Sequence, residues 1–465
     1  MNQPIERASD IPFPRERVFD WWLRPGSHER LSPPGWGEVI GGDRDARQVG
    51  DTVTLQPSHP LMSAIPGASL LKLRPVTARL DVVEPGERIV VALEHGRSRW
   101  TEETRFTDSG DGGTRVEQRV SGDYPASTGD AFQAQLTFLA DQAEADLALV
   151  ERLAARPSRI VVAGSSGLIG TQLVALLKMA GHDVTRLVRG TPEAPDEVRW
   201  DPASGEVPTD VIAGADAVVN LAGHTIGGRF TDRNKKLILQ SRVDSTSTLA
   251  NALRDRGSSA ALIQASGIGF YGARRPAELL TEESRRGSGF LADVVDAWEA
   301  AAAPAVDAGV RTVFVRTGIA LSYAGGALQR QVPLYLVGAG GRLGKAQQYQ
   351  SWIGIDDLVR AYVHALFTPD LSGPINAVAP NPVTNAKFAE TLGKVLQRPS
   401  LLPTPSFGPK LIVGDEGYDQ LIDTDQRVSA DKLLASGFEF THPTLEPALR
   451  HTLLRQSGAG GHDSP

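Results

Sequence analysis

One stretch of the chain, RIVVAGSSGLIGTQLVALLKMAGHDVTRLVR at 159–189, constrains the fold more than any other. A β-branched run, RIVVAG, leads into Gly164, Gly167 and Gly170 in G-x-x-G-x-x-G spacing. An apolar helical run, LIGTQLVALLKMAG, follows, and HDVTRLVR reads as a second strand. A glycine pattern alone is a weak signal. A strand before it, a helix after it and a second strand beyond are the context in which such a loop cradles a dinucleotide. The turn must be tight, the backbone must approach the pyrophosphate closely, and the helix N-terminus receives the negative charge. Ser166, Leu168 and Ile169 complete the expected phosphate loop. The alternative is a turn whose glycines are fortuitous.

The second strand bears on which dinucleotide. An NAD site wants an acid about 20 residues past the glycines, to bond the ribose 2′-hydroxyl. That position is Val188 here, Arg189 follows it, and Arg186 lies just before. With no carboxylate competing, an arginine there pairs with a 2′-phosphate, which favours NADP. The plainer reading of Arg189 is a solvated loop residue.

The same alternation continues. DAVVNLAG, ALIQASG and VRTVFVRTG are short apolar strands separated by helical stretches such as RNKKLILQSRVDSTSTLANALRDRG. Strand and helix at this spacing predict an α/β fold with a doubly wound parallel sheet over 158–373. From about 374 the chain turns rich in Pro and loops, which predicts a small C-terminal lobe over 374–452, and the Gly- and Ser-rich end (453–465) reads as a disordered tail. Residues 1–155 follow another pattern. DTVTLQP, LKLRPVTARLDVVEP, ERIVVALE, RWTEETRFTD and TRVEQRVSGDY alternate like half-buried antiparallel strands. The following run carries Phe132, Leu136, Leu139 and Ala143 at helical spacing. Strands and then one long helix predict an α+β layer, with RPS at 156–158 as the linker.

Composition bounds the function. At 465 residues the chain is too long for one core. Its net charge of -7 and lack of a long basic run argue against nucleic acid. No apolar run approaches a bilayer span and MNQPIERASD has no secretory h-region, so no membrane is expected and the cytoplasm is the expected compartment. There is no cysteine, which excludes thiolate nucleophiles and Cys-based metal sites, and no metal is expected.

The glycine loop, VVNLAG at 218–223 and SGIGFYG at 266–272 together resemble the short-chain dehydrogenase/reductase superfamily in its extended, sugar-nucleotide-epimerase-like form. NLAG, SRVDST, RTGIALS, VGAGGRLG, SWIGIDDLV, NAVAPNPVTN and GFEFTHPTLEPAL narrow this to the atypical branch of epimerase-family proteins, sometimes labelled SulA-type, over about 158–450. The resemblance implies a Rossmann sheet, a small conserved C-terminal lobe of unknown role at about 400–450, and cofactor contacts from Leu221, Ala222, Gly223 and Arg316. It also implies a substrate-lining segment with Gln348, Ser351 and Trp352. The chain departs from that branch at Gly354, where a histidine is expected. The N-terminal part, through PFPRERVFDWW, is similar to SRPBCC/START-like helix-grip domains of the polyketide-cyclase type. Such a domain implies an apolar ligand, with Trp21, Trp22, Trp36 and Trp100 as lining. The plainer reading of those tryptophans is that they fill the domain core.

The superfamily's acid is a tyrosine, with a lysine one helical turn later on the same face to lower its pKa and hold the nicotinamide ribose. In GFLADVVDAWE, 289–299, setting Glu299 as the acid that closes this helix puts Leu291 at the tyrosine position and Val295 at the lysine position. The stretch contains no Tyr, Lys or His. Other candidates each have a plainer use. Tyr271 is a proton donor or a packing aromatic. Ser266 bonds a substrate oxygen or a turn, and His224 is a base or an exposed loop residue. Glu282 and Glu283 read as loop charge, Asp356 and Asp357 as a helix N-terminal acid pair. Two functions follow as expectations: an NADP-dependent oxidoreductase or epimerase with a non-standard acid, acting on an unidentified small molecule, or a catalytically silent NADP-binding protein.

Overall fold

Two seven-stranded sheets organise the chain, and among the described residues no strand belongs to both. The computed structural model describes residues 2–32, 37–42, 45, 47–57, 74–125, 138–139, 142–153, 156–255, 260–400 and 403–455. Trp36, Phe132, Leu136 and residues 456–465 of the expected tail lie outside them.

The first sheet is antiparallel. It contains β1 (Ile5–Ile11), β2 (Gly37–Gly42), β3 (Thr52–Pro57), β4 (Val76–Glu84), β5 (Arg88–His95), β6 (Ser98–Asp108) and β7 (Thr114–Asp123), in the order β1-β7-β6-β5-β4-β3-β2. Its period of two is plain on β7, where Thr114, Val116, Gln118 and Val120 are buried and the residues between them are exposed. Helical residues Ala143, Leu147 and Val150 share a core with Trp100, Phe106 and Val116. Trp21 and Trp100 are buried, and Trp22 meets Phe106 edge to face at 5.4 Å. These rings pack on one another and on the sheet.

The second sheet is parallel throughout, in the order β10-β9-β8-β11-β12-β14-β18. Its strands are β8 (Arg159–Ala163), β9 (Asp183–Val188), β10 (Glu197–Arg199), β11 (Ala217–Asn220), β12 (Ala261–Gly267), β14 (Thr312–Thr317) and β18 (Gly373–Ala377). Ile160 and Val162 bury on one face with the Leu168–Met179 and Ile355–Phe367 helices. Val161 and Ala163 bury on the other, with Leu249 and Leu253 of the Asp232–Asp255 helix. A strand covered on both faces has no polar side, which is why these runs read as unbroken apolar stretches. The strand order reverses between β8 and β11, the place where ligands settle on open α/β sheets.

The lobe boundary expected at 373/374 falls inside β18, which belongs to the parallel sheet. Pro and loop content marked the end of regular alternation, but one last strand follows it. The lobe also draws on earlier residues. β15 (Ile319–Leu321) pairs with β17 (Trp352–Gly354), β16 (Tyr349–Gln350) with β19 (Val383–Thr384), and β13 (Arg274–Leu280) with β20 (Asp425–Val428). Leu321, Leu328, Trp352, Phe388 and Leu449 form one apolar cluster there.

The antiparallel sheet is docked on the Leu168–Met179 helix, the one that follows the glycine loop. Gly26 has φ 80°, and a Cβ on it would stand 2.4 Å from the Ala175 carbonyl oxygen, so only glycine fits this contact. Arg24 Nη1 donates to the Met179 carbonyl at 2.9 Å. Arg30, 0% exposed, is the centre of the junction. Its guanidinium makes two 2.8 Å bonds to Asp146, one of 3.0 Å to Gln172 Oε1, and an ion pair of 3.0 Å with Asp356. His451 of the Leu445–Thr452 helix reaches the other oxygen of Asp356 at 3.2 Å. No described helix is long and apolar enough to cross a membrane.

Candidate functional site

The three glycines of the loop have different reasons to be glycine. Gly164 has φ 79°, and a Cβ there would meet the Leu221 carbonyl carbon at 2.6 Å. A Cβ on Gly170 would meet the Gly164 carbonyl oxygen at 2.2 Å. Both are required by the fold itself. Gly167 is not: its φ is -79° and a Cβ would have only one neighbour, at 3.3 Å. It is the N-cap of the Leu168–Met179 helix, and no side chain caps that helix. A bare helix start beside a glycine that the protein does not require is a cradle for an external anion. Leu221 and Ala222 touch Gly164 and form the second wall, and Gly325 lies over Leu168. These residues fit a dinucleotide pyrophosphate.

The arginines of β9 divide. Arg186 is 7% exposed and is held by Asp196 at 2.7 and 2.6 Å and by Glu197 at 2.9 Å. Burial would raise the pKa of Asp196, but Arg186 and Lys178 hold it down at about 2. Arg186 is therefore a structural cation, not the free one expected, because Glu197 of the neighbouring strand β10 and Asp196 just before it bring two carboxylates to it. Arg189 is exposed and has no ion pair among the described residues.

At the ends of β12, β14 and β18 lies a closed polar network. Ser266 Oγ donates to Glu299 at 2.5 Å, and Arg316 takes both Glu299 oxygens at 2.8 Å. Arg316 also donates to the Tyr271 hydroxyl at 3.2 Å, which donates to Asn376 Oδ1 at 2.7 Å. Glu282 accepts from the Asn376 backbone at 2.7 Å. Burial raises the Tyr271 pKa, opposed by Arg316. Tyr271 is 0% exposed, Arg316 3% and Ser266 5%. All three, expected at the cofactor or substrate, have their polar atoms satisfied inside the protein, and packing is the use this geometry assigns them.

The helix Phe290–Ala300 does lie against this edge. A Cβ on Gly269 would be 3.4 Å from Leu291 Cβ, and one on Gly267 would be 4.0 Å from Val295 Cγ2. Two apolar side chains thus cover the β12 end where the acid and its lysine are expected. Glu299 pairs with Arg316 one turn beyond Val295.

The substrate-lining expectations resolve into lobe contacts. Gln348 donates to Asp423 at 2.6 Å. Ser351 donates to the Gln426 carbonyl and accepts from the Val428 backbone, each at 2.9 Å. Trp352 is 0% exposed with its indole on the Asn381 carbonyl. Asp357 accepts from the Thr441 and His442 backbones at 2.8 and 3.0 Å, so the acid pair ties helix to lobe. Gly354 is an N-cap with φ -65° and no side-chain cap, and a Cβ there would meet no heavy atom within 4 Å. Gly354→Ser should raise stability by about 0.5 kcal/mol through capping and reduced unfolded-state freedom. A melting point higher by roughly 1–2 °C in scanning calorimetry checks this.

One residue that sequence reading passed over is Arg242. Its guanidinium donates to the His224 and Ile238 carbonyls at 2.9 and 3.0 Å and lies 4.9 Å over the Trp298 ring. A Cβ on Gly223 would come within 3.2 Å of it. No carboxylate pairs with it among the described residues, and burial pushes its pKa down to about 10. The available signal was an arginine four residues after the buried Ile238 and three before the buried Ser245, on the inward face of a helix.

Residues 160–378 match the NAD dependent epimerase/dehydratase family, and residues 404–452 match a domain of unknown function, DUF1731. An epimerase family protein of Mycobacterium tuberculosis is 41% identical over 297 residues, covering 64% of this chain and 98% of that one. The crystal structure of a nucleoside-diphosphate sugar epimerase from Corynebacterium glutamicum matches with TM-score 0.78 and 34% identity, over 98% of this chain and 91% of that chain. The human epimerase family protein SDR39U1, solved with NADPH, matches with TM-score 0.57 and 33% identity, over 63% of this chain and 98% of that chain.

Proposed function

The chain belongs to the NAD dependent epimerase/dehydratase family, in its SDR39U1-type branch with a DUF1731 C-terminal domain, and from that premise we propose an NADPH-dependent oxidoreductase or epimerase-like enzyme that works without the Tyr-x-x-x-Lys pair. A nicotinamide cofactor supplies hydride transfer when bound. The observation that carries the reading is the cradle at Gly167, a bare helix start flanked by a glycine the fold does not need. Arg242, a half-buried cation without a carboxylate partner among the described residues, stands beside the Leu221–Gly223 wall and supplies positive charge to the cofactor phosphates. Arg189, at the end of β9, takes the 2′-phosphate, and the small-molecule substrate lies over the Leu291–Val295 wall. For the antiparallel sheet and its helix we propose a START-like helix-grip domain, joined at 156–158. An apolar ligand there would share the inner face with Trp100 and Phe106 and would quench tryptophan fluorescence.

Titration calorimetry tests the cofactor assignment. NADPH should bind more tightly than NADH, and Arg189→Ala should weaken NADPH by about ten- to a hundredfold, the worth of one charge-assisted contact. Equal affinity for the two nucleotides in the wild type would refute it.

A further inference from the structure

The Phe407–Leu421 helix is two pieces. Gly414, with φ 79° and ψ 174°, breaks it, and the pieces differ in what holds them. The second piece is anchored. Glu416 pairs with Lys235 at 2.7 Å, Tyr418 is buried, and a Cβ on Gly417 would lie 3.6 Å from the Phe230 ring. The Leu291 backbone donates to Gln420 at 3.5 Å, so this piece lies along the start of the Phe290–Ala300 helix. The first piece turns large apolar side chains to solvent: Phe407, Leu411 and Ile412 are 69%, 68% and 51% exposed. Phe407 and Leu411 stand four apart, so they share one helix face. Adjoining exposed apolar side chains with a polar rim mark a place where a partner or ligand docks.

The rim is cationic. Arg229 Nε donates to the Leu411 carbonyl at 3.2 Å, and the next residue, Phe230, meets Phe290 edge to face at 5.3 Å. Both belong to the loop that leaves β11 through Leu221–Gly223. Arg330 reaches the same loop, donating from Nη1 to the Gly227 carbonyl at 2.7 Å. It lies one turn into the Gly326–Leu336 helix, whose N-cap, Gly325, is the residue over Leu168 of the phosphate loop. Arg229 and Arg330 are exposed, and neither pairs with a carboxylate among the described residues. Asp415, which feels the charge of Arg229, is closed on Lys410 at 2.9 Å. Two cations and an apolar face therefore border one approach, between the phosphate loop and the wall of Leu291 and Val295.

We propose that this approach takes an amphiphilic anion as substrate: a carboxylate or phosphate head held by Arg330 and Arg229, with an apolar chain laid on Phe407, Leu411 and Ile412. Calling the ligand a substrate rests on the cofactor reading above. The two guanidinium groups call for an anion, and each has N–H donors left over from its bond to a carbonyl. The size of the apolar face fits a single chain. Three side chains fall far short of the about 800 Å² per partner that a stable protein interface buries.

The experiment is calorimetric titration of the full chain, loaded with NADPH, with dodecanoate, dodecyl phosphate, dodecanol and butyrate, all below micelle formation. It is run on wild type, Arg229→Ala, Arg330→Ala, Phe407→Ser and Leu411→Ser. Melting curves check that these exposed substitutions leave the fold intact, and NADPH affinity should not change in any of them. The wild type should bind one or both long-chain anions, with dodecanol and butyrate weaker by at least about tenfold. The tighter of the two anions identifies the head as carboxylate or phosphate. Affinity should rise about fourfold for each methylene buried as the chain lengthens from octanoate to dodecanoate. Arg330→Ala should weaken the anions by about ten- to a hundredfold and leave dodecanol unchanged, and Leu411→Ser should weaken every long-chain ligand by about tenfold. Unchanged amphiphile affinity in all four variants would put the ligand elsewhere, and would overturn the proposal. So would flotation with anionic vesicles or concentration-dependent dimerisation, abolished by Leu411→Ser, in a chain that binds no free amphiphile. Weakened NADPH in Arg330→Ala would return that arginine to the cofactor, overturning its role here while the cofactor reading stands. Amphiphile binding as expected in a wild type that takes no nicotinamide nucleotide would overturn the cofactor reading, and with it the ligand's standing as substrate, but not the site.

Discussion

Arg30→Ala is expected to lower the unfolding free energy by about 3–5 kcal/mol, since removing one partner of a buried charge group leaves the others uncompensated. The partners are Asp146, Asp356 and Gln172, and they come from the segments that the junction joins. Urea unfolding followed by near-ultraviolet circular dichroism measures the loss. Arg30→Ala combined with Asp146→Ala should lose less than the sum of the two single changes, because the second removes a charge that the first left stranded. Equal and additive losses would show that Arg30 acts by volume alone. The pH dependence has a definite sign. Burial would raise the pKa of Asp356, but Arg30 and His451 outweigh it and hold the carboxyl far below its ordinary range. A group depressed on folding adds stability above its unfolded pKa, about 3.9 for aspartate. That contribution is complete at neutral pH and drains away as pH falls below about 4 toward the folded value. The acid limb of the stability curve should therefore be shallower in Arg30→Ala.

The second large effect concerns catalysis. With Leu291 and Val295 against the β12 end, the Phe290–Ala300 helix offers no proton donor to a substrate. Tyr271 does not replace it while its hydroxyl is shared between Arg316 and Asn376 in the interior. A positioned general acid contributes about 10²–10⁴ in rate. Turnover of ordinary sugar nucleotides by the wild type should be lower than in tyrosine-bearing relatives by about that factor. NADPH absorbance with a panel of sugar nucleotides and apolar carbonyl compounds measures it, on wild type, Tyr271→Phe and Leu291→Tyr/Val295→Lys. The apolar wall favours the less polar members of the panel. Brisk epimerisation of a sugar nucleotide, unchanged by Tyr271→Phe, would reveal a donor outside this helix.

The parallel sheet was legible because its strands carry apolar residues on both faces, as Ile160–Val162 and Val161–Ala163 do, and because the glycines sit between strand and helix. The antiparallel sheet was legible from the alternation in β7. What could not be read was which polar side chains would satisfy one another. Ser266, Tyr271 and Arg316 look like site residues from their places at strand ends. Only the fold brings Glu299 and Asn376 within hydrogen-bond distance of them. Arg186 looks as available as Arg189 until the pairing of β10 with β9 lays Glu197 and the preceding Asp196 beside it. Local sequence states a residue's donors and acceptors. Their partners lie 10 to 105 positions away in these cases, across strand pairings that no local pattern encodes.

Buried ions make poor glue between separate proteins, because each must be stripped of water before the pair can form. At the junction of the two sheets that difficulty is eased by connectivity. Leu153 and Arg159 are separated by only a few residues, so the two halves never meet as independent molecules. A short tether holds them at an effective concentration on the order of millimolar, so the junction forms without a bimolecular encounter. The antiparallel sheet therefore rests on the cofactor-loop helix through Arg30, Gly26 and Arg24 set in a continuous apolar core, in which Trp21 and Leu31 share one cluster with Leu173 and Leu177, and the tether lets the buried ions close within that core without a separate encounter.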